Sequence, residues 1–149
     1  MRFIILLIAL FALPAQAQDC LGESEVFFNI VAAKWAVNTG IANDPDSFDG
    51  EKWLYIWGGA GSIFEEKKIS DKTAKAMARL VAENDFSENP EVEVNIFEDY
   101  WYLSCKTKIN GGSVNPLKDI AKDSLIDCWN AASSREDFQS CLTPLVNES

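Results

Sequence analysis

Histidine is absent from this 149-residue chain. Its absence excludes Ser-His-Asp and Cys-His catalysis, zinc or haem held by histidine, and the commonest general base in enzymes. The four cysteines form no C-x-x-C pair and match no other metal-binding spacing, which argues against a zinc site or a thioredoxin-like redox centre. The composition therefore predicts a protein that is not an enzyme and that uses neither a metal nor a cofactor.

Long hydrophobic runs are scarce, and the one at the N-terminus has the features of a secretory leader. Residues 3–13 are all apolar and follow the positive charge of Arg2. Ala15 and Ala17 then supply the small residues that signal peptidase requires at positions −3 and −1. We predict cleavage after Ala17.

The same residues argue against an N-terminal anchor. An apolar run of this length is too short to cross the roughly 30 Å of a bilayer's hydrocarbon core. The residues before Cys20 also lack the leucine and the small residue that usually precede a lipid-modified cysteine. We therefore expect residues 1–17 to be removed and residues 18–149 to form a single domain in the periplasm or outside the cell.

Basic residues are few relative to acidic ones. The chain has 13 Lys and Arg against 23 Asp and Glu, a formal net charge of −10. Removal of residues 1–17 takes away Arg2 and makes the charge one unit more negative. A negative field repels nucleic acids and anionic lipids, and it favours a cationic partner, such as a protein with a basic cleft, or serves only solubility as a solvated acidic surface.

The four cysteines all follow the predicted leader, at Cys20, Cys105, Cys128 and Cys141. An even number of cysteines in an oxidising compartment predicts two disulfides. Three pairings are possible. We favour Cys20 with Cys105 and Cys128 with Cys141, because the short loop between the last two favours a local bridge.

Apolar residues recur at helical spacing through most of the chain, and 48% of all residues are hydrophobic. These patterns predict a compact all-α single-domain bundle of five or six helices stapled by two disulfides. The predicted helices cover residues 25–39, 51–57 with a continuation at 62–68, 71–85, 90–110, 116–129 and 135–143. Ser24, Ser70 and Ser134 precede three of them as candidate caps, and Pro144 is expected to end the last.

The segment 89–112 is predicted to be the central helix. Its first residues alternate like a strand, but helical spacing persists over the whole segment and the alternation does not. Asn89-Pro90 is a helix start, and Gly111 and Gly112 favour a helix end. This register turns Trp101, Cys105 and Ile109 inward, whereas Glu98, Tyr102 and Lys106 face solvent.

An acidic turn precedes an aromatic helix in the middle of the chain. Asp44 and Asp46 fit the first positions of a calcium-binding loop, but Phe48 occupies the fifth position and Tyr55 the twelfth, where a glutamate is needed. We therefore read the segment as a turn. The glycine cluster at 58–61 is not a phosphate loop, since no strand precedes it and no Lys-Ser or Lys-Thr follows.

The acidic turn, the aromatic helix and the exposed face of the central helix are the candidate partner-binding surfaces. Their residues are Asp44, Asp46, Asp49, Trp53, Tyr55, Trp57, Glu98 and Tyr102.

Size, charge and predicted export favour binding over catalysis. The most concrete expectation is a periplasmic inhibitor or immunity protein that neutralises a peptidoglycan-degrading toxin or enzyme, because an acidic surface can be steered onto a basic active-site cleft. A carboxylate-dependent, lysozyme-like glycosidase is the alternative from a different class, since such an enzyme needs only two acids and an aromatic groove. A carrier of small ligands, or a chaperone-like carrier, is a third reading.

Overall fold

The computed structural model describes residues 19–38, 63–84, 86 and 89–148. This part of the chain contains six α-helices whose two ends are both described, further helical residues at 63–66 and no strand, so the predicted all-α fold with two disulfides is confirmed. The helices are α1 (Cys20–Ser24), α2 (Phe27–Asn38), α3 (Asp71–Glu83), α4 (Pro90–Ile109), α5 (Lys122–Ala131) and α6 (Arg135–Val146). None of the described helices has both the length and the hydrophobicity that a membrane span requires.

Several predictions fall outside the described residues. They concern the signal peptide, the acidic turn with Asp44, Asp46 and Asp49, and the aromatic helix with Trp53, Tyr55 and Trp57.

Helix α4 is the central element, and α1, α2, α5 and α6 all pack against it. Its ends lie where the sequence predicts. The side chain of Asn89 accepts hydrogen bonds from the first free backbone N–H groups, and Pro90 occupies the first turn, where its missing N–H is harmless. Gly111 follows the helix with a φ of +78°, a conformation that glycine adopts at little cost.

The buried face of α4 forms the middle of the hydrophobic core. Phe97 stacks on Phe27 of α2 with ring centroids 5.8 Å apart, and it meets the edge of Phe86 at 5.5 Å. The predicted inward position of Ile109 is wrong, because 53% of this side chain is exposed. It lies in the last turn of α4. Trp101 is half-buried and donates its indole N–H to Glu23 of α1 at 2.9 Å.

The N-terminal helical region differs from its prediction. The sequence predicts one helix over 25–39 capped by Ser24, but the short helix α1 precedes α2 and is capped by Asp19. Ser24 lies inside α1, where its hydroxyl donates to the carbonyl of Leu21. The disulfide from Cys20 to α4 holds this short helix in place, a tertiary constraint that local spacing does not reveal.

Helix α3 follows its prediction closely. Ser70 accepts a hydrogen bond from the backbone N–H of Thr73 at 3.2 Å, as a capping serine does. Its buried face consists of Ala74, Met77, Ala78 and Val81.

The start of α5 differs from its prediction. The sequence predicts that this helix begins at Pro116, but a 3₁₀ turn (Leu117–Asp119) intervenes and α5 begins at Lys122. Asn115 instead binds the end of α6. Its backbone N–H donates to the carbonyl of Val146 at 2.8 Å, and its side-chain amide donates to the carbonyl of Leu145 at 3.0 Å.

The predicted end of α6 at Pro144 is also wrong, although its predicted start is confirmed. Ser134 accepts a hydrogen bond from the backbone N–H of Asp137 at 3.1 Å and caps the helix. The helix then continues through Pro144 to Val146. Proline removes one backbone donor and so costs one hydrogen bond within the helix. Asn115 binds the carbonyls of Leu145 and Val146, which have no partner within the helix because they lie at its end.

The favoured disulfide pairing is confirmed. Cys20 is bonded to Cys105, which joins α1 to α4, and Cys128 is bonded to Cys141, which joins α5 to α6. Cys141 is exposed, whereas its partner Cys128 is buried.

Candidate functional site

A cleft of about 250 Å³ opens between α4 and the junction of α5 with α6. Its walls come from Asn95 and Asp99 of α4, Trp129 of α5, the connecting residues 132–134, and Arg135 and Phe138 of α6. We call it the Asp99 cleft. The capped start of α6 places Arg135 at the rim, facing the acidic residues of α4.

Asp99 is the fully buried acidic group of this cleft. Its Oδ1 accepts two hydrogen bonds, from Arg135 Nε at 3.0 Å and from the side-chain amide of Gln139 at 2.6 Å. Its Oδ2 is buried and has no hydrogen-bond partner among the described residues. A buried carboxylate oxygen without a donor is unfavourable, so this atom marks a position where a donor from outside would be stabilised.

Glu98 approaches the same arginine from the neighbouring position on α4. Its Oε2 lies 3.9 Å from Arg135 Nη2. Burial raises the pKa of Glu98 to about 7; Arg135 opposes this rise, and Asp99 and Glu25 add to it. Adjacent residues on a helix point in different directions, yet the guanidinium between them contacts both carboxyl groups.

A second depression lies at the other end of the same helix face. Tyr102 lines a cleft of about 400 Å³ together with Leu21 of α1 and Ile109. Leu21 is 49% exposed, so two large apolar side chains flank the tyrosine at the surface. We call Leu21, Tyr102 and Ile109 the Leu21 patch. Asp19 and Lys106 place charges at its rim.

A buried ionic cluster joins α2 to α4 away from both depressions. Glu93 is fully buried, pairs with the amino group of Lys34, and accepts the indole N–H of Trp35 at 2.6 Å. Sequence reasoning missed this cluster. The signal was present, since Lys34 lies within the otherwise apolar run 30–37 and Glu93 lies between two valines. Its burial and satisfied geometry indicate a structural role.

The predicted site residues within the described part of the chain do not share one pocket. Glu98 and Tyr102 are one helical turn apart on α4. Glu98 lies beside the Asp99 cleft, whereas Tyr102 belongs to the Leu21 patch. Sequence reasoning missed Asp99 and Arg135, because nothing local links residues 36 positions apart.

No cluster of three or more possible metal ligands occurs among the described residues. Comparison with known proteins finds no family model, no curated protein and no solved structure that matches this chain.

Proposed function

We propose that this chain is an exported acidic binding protein that inhibits a basic, peptidoglycan-degrading toxin or enzyme of the cell envelope. It would act by direct protein–protein contact, in the manner of an immunity protein.

The observation that supports this proposal most strongly is the charge. A formal net charge of −10 in 149 residues creates a negative field that accelerates encounters with a basic surface and repels nucleic acids and anionic membranes. A basic cleft would concentrate an anionic polymer such as peptidoglycan at the active site of an enzyme, and an acidic protein can be steered onto such a cleft. The absence of histidine removes the commonest catalytic groups and agrees with binding as the function.

The Leu21 patch is the surface best suited to the contact. Interfaces combine a few large apolar or aromatic side chains with a polar rim, and tyrosine is enriched among residues that contribute most to affinity. Tyr102 lies between the exposed side chains of Leu21 and Ile109, and Asp19 and Lys106 border them. The disulfide from Cys20 to Cys105 fixes α1 against α4, so this surface is preorganised.

Affinity capture tests the proposal. Immobilised protein should retain a basic enzyme from an envelope extract, and the captured enzyme should lose peptidoglycan-lysing activity when excess free protein is added. Failure to retain any protein at both low and physiological salt would contradict the proposal.

A pair of matched variants tests the surface. Leu21→Ser with Ile109→Ser should weaken binding of the captured enzyme by roughly tenfold or more, because the apolar part of the contact is lost. Phe28→Ser is the control, since Phe28 is 62% exposed on α2 and does not line the patch. Equal affinity of the double variant and the control would exclude the Leu21 patch as the contact.

A glycosidase remains the second candidate because of Glu98. A carboxyl group whose pKa is raised to about 7 suits a general acid, and Asp99 supplies a second carboxylate nearby. Release of soluble fragments from purified peptidoglycan by the wild-type protein, lost in Glu98→Gln, would support catalysis. Absence of release by the wild-type protein would count against it.

A further inference from the structure

We propose that the Asp99 cleft binds the positively charged end of a lysine or arginine side chain presented by the partner, an inference that rests on the proposed function. The cleft would then be the position where the acidic protein recognises one specific basic residue, separate from the apolar contact at the Leu21 patch.

The buried acceptor is the first observation. Asp99 is fully buried, and while Oδ1 accepts from Arg135 and Gln139, Oδ2 has no donor among the described residues. Asp99 forms part of the cleft wall. An ammonium or guanidinium group entering the cleft would donate a charge-assisted hydrogen bond to this oxygen, which is stronger than a bond between neutral groups.

The local charge is the second observation. Two carboxyl groups, Glu98 and Asp99, share the single guanidinium of Arg135. Glu25, in the connection between α1 and α2, also raises the pKa of Glu98 by charge repulsion, although Glu25 itself forms an ion pair with Lys67. One further cation would balance Asp99, which lines the cleft, and Glu98, which approaches the same arginine from beside it. It would also favour the ionised form of Glu98, whose pKa burial raises to about 7.

The walls of the cleft suit an aliphatic stem with a charged end. Trp129 and Phe138, whose ring centroids are 5.4 Å apart, form an apolar wall, whereas Asn95 and Ser133 are polar. A lysine side chain has four methylene groups that can pack on aromatic rings while its ammonium reaches an acceptor. A volume of about 250 Å³ accommodates one such chain.

The probes are n-butylammonium, which reproduces a lysine side chain, and the neutral n-butanol. Titration of the ¹⁵N-labelled full protein should give saturable shifts at the Trp129 indole, the Asn95 side chain and the backbone of 132–135 with n-butylammonium alone. We expect a Kd of about 1 to 10 mM, as is usual for so small a ligand. Three outcomes would overturn the proposal. The shifts with n-butanol could equal those with n-butylammonium, or N-acetylglucosamine could cause shifts instead. The third outcome is no shift with any probe, which is expected if ordered water alone fills the cleft.

Two isosteric variants separate the cleft from the general acidity of the surface. Asp99→Asn keeps one oxygen and replaces the other with a donor, so n-butylammonium binding should weaken tenfold or more. Asp127→Asn is the matched control, because it removes the same charge from an exposed position on α5 outside the cleft. Equal weakening in both variants would overturn the proposal.

A third variant keeps the test decisive if Asp99→Asn does not fold. Arg135→Gln removes the cation already in the cleft, so n-butylammonium should bind several-fold more tightly. Unchanged or weaker binding in this variant would contradict a cation site.

Capture of the partner distinguishes this inference from the proposed function. If the wild-type protein retains an envelope enzyme and Asp99→Asn retains it equally well, the cleft proposal fails and the inhibitor proposal stands. If n-butylammonium binds as expected and no protein is retained, the inhibitor proposal fails and the cleft remains a site for alkylammonium groups.

Discussion

At the scale of single residues, Glu98 gives the clearest dependence on pH. Its pKa in the folded protein is raised to about 7, chiefly by burial, from an ordinary value of 4.5. Between these two values the unfolded chain releases a proton that the folded protein keeps. Stability from this group therefore falls as the pH rises from about 4.5 to 7, and it is constant above and below that range.

Replacing Glu98 with glutamine removes this loss of stability. The free energy of unfolding of Glu98→Gln minus that of the wild type should therefore be about 1 to 2 kcal/mol larger at pH 8 than at pH 4, a figure reduced for partial solvent screening. Urea denaturation at both pH values measures the gain. Glu91→Gln, which removes an exposed carboxyl group from the same helix, should not reproduce it. A gain independent of pH would contradict the assignment.

The buried pair of Lys34 and Glu93 predicts strongly coupled mutations. Removing either charge takes from the other, which is buried, the ion pair between them, so Lys34→Met or Glu93→Leu alone should cost about 3 to 5 kcal/mol of stability. The double variant should cost at least about 2 kcal/mol less than the two single changes together, because both charges of the pair are then removed. A double-mutant cycle by urea denaturation measures this coupling, and additive effects would show that the pair does not act as a unit.

At the scale of elements, the two disulfides constrain loops of very different length. Cys20 and Cys105 are 85 positions apart, whereas Cys128 and Cys141 are 13 apart. If the bridges act by restricting the unfolded chain, replacing the first pair with alanine should cost about 4.5 kcal/mol and the second about 3 kcal/mol. Chemical denaturation of the two double-alanine variants compares them. A larger cost for the second pair would contradict the entropic account.

The helices show which signals in a sequence are reliable. Ser70, Asn89 and Ser134 cap helices as predicted, because a capping side chain bonds to backbone groups only two or three residues away. The predicted start of α5 at Pro116 and the predicted end of α6 at Pro144 are both wrong. Asn115, just before Pro116, donates to the carbonyls of Leu145 and Val146 at the end of α6, a contact between distant residues that no local signal reveals.

At the scale of the whole molecule, the excess of acidic residues predicts how binding responds to salt. The association rate with the captured envelope enzyme should fall at least tenfold between about 20 mM and 500 mM salt, because screening removes the long-range attraction. The dissociation rate should change much less. Surface plasmon resonance measures both rates. An association rate that does not depend on salt would contradict electrostatic steering as the reason for the acidic composition.

The sequence by itself determined the fold class and most helix positions. Helical periodicity, caps and glycine stops act over a few residues, so they can be read directly along the chain. The favoured disulfide pairing followed from loop length and the assumed oxidising compartment. The predicted exposed face of α4 is only partly right. Tyr102 lines a surface depression, whereas only 17% of the Glu98 side chain is exposed, because Glu98 turns toward Arg135 of α6.

Only the tertiary structure decided which distant side chains meet. It placed Arg135 against Asp99, left the second oxygen of Asp99 without a donor among the described residues, and buried Glu93 beside Lys34. The helical period did not predict the burial of Asp99 or of Glu93. It indicates which face of a helix is apolar on average, but not which side chain of another helix lies opposite a single position. These contacts between side chains depend on how α2, α5 and α6 pack around α4. They distinguish the candidate cleft from the rest of the acidic surface.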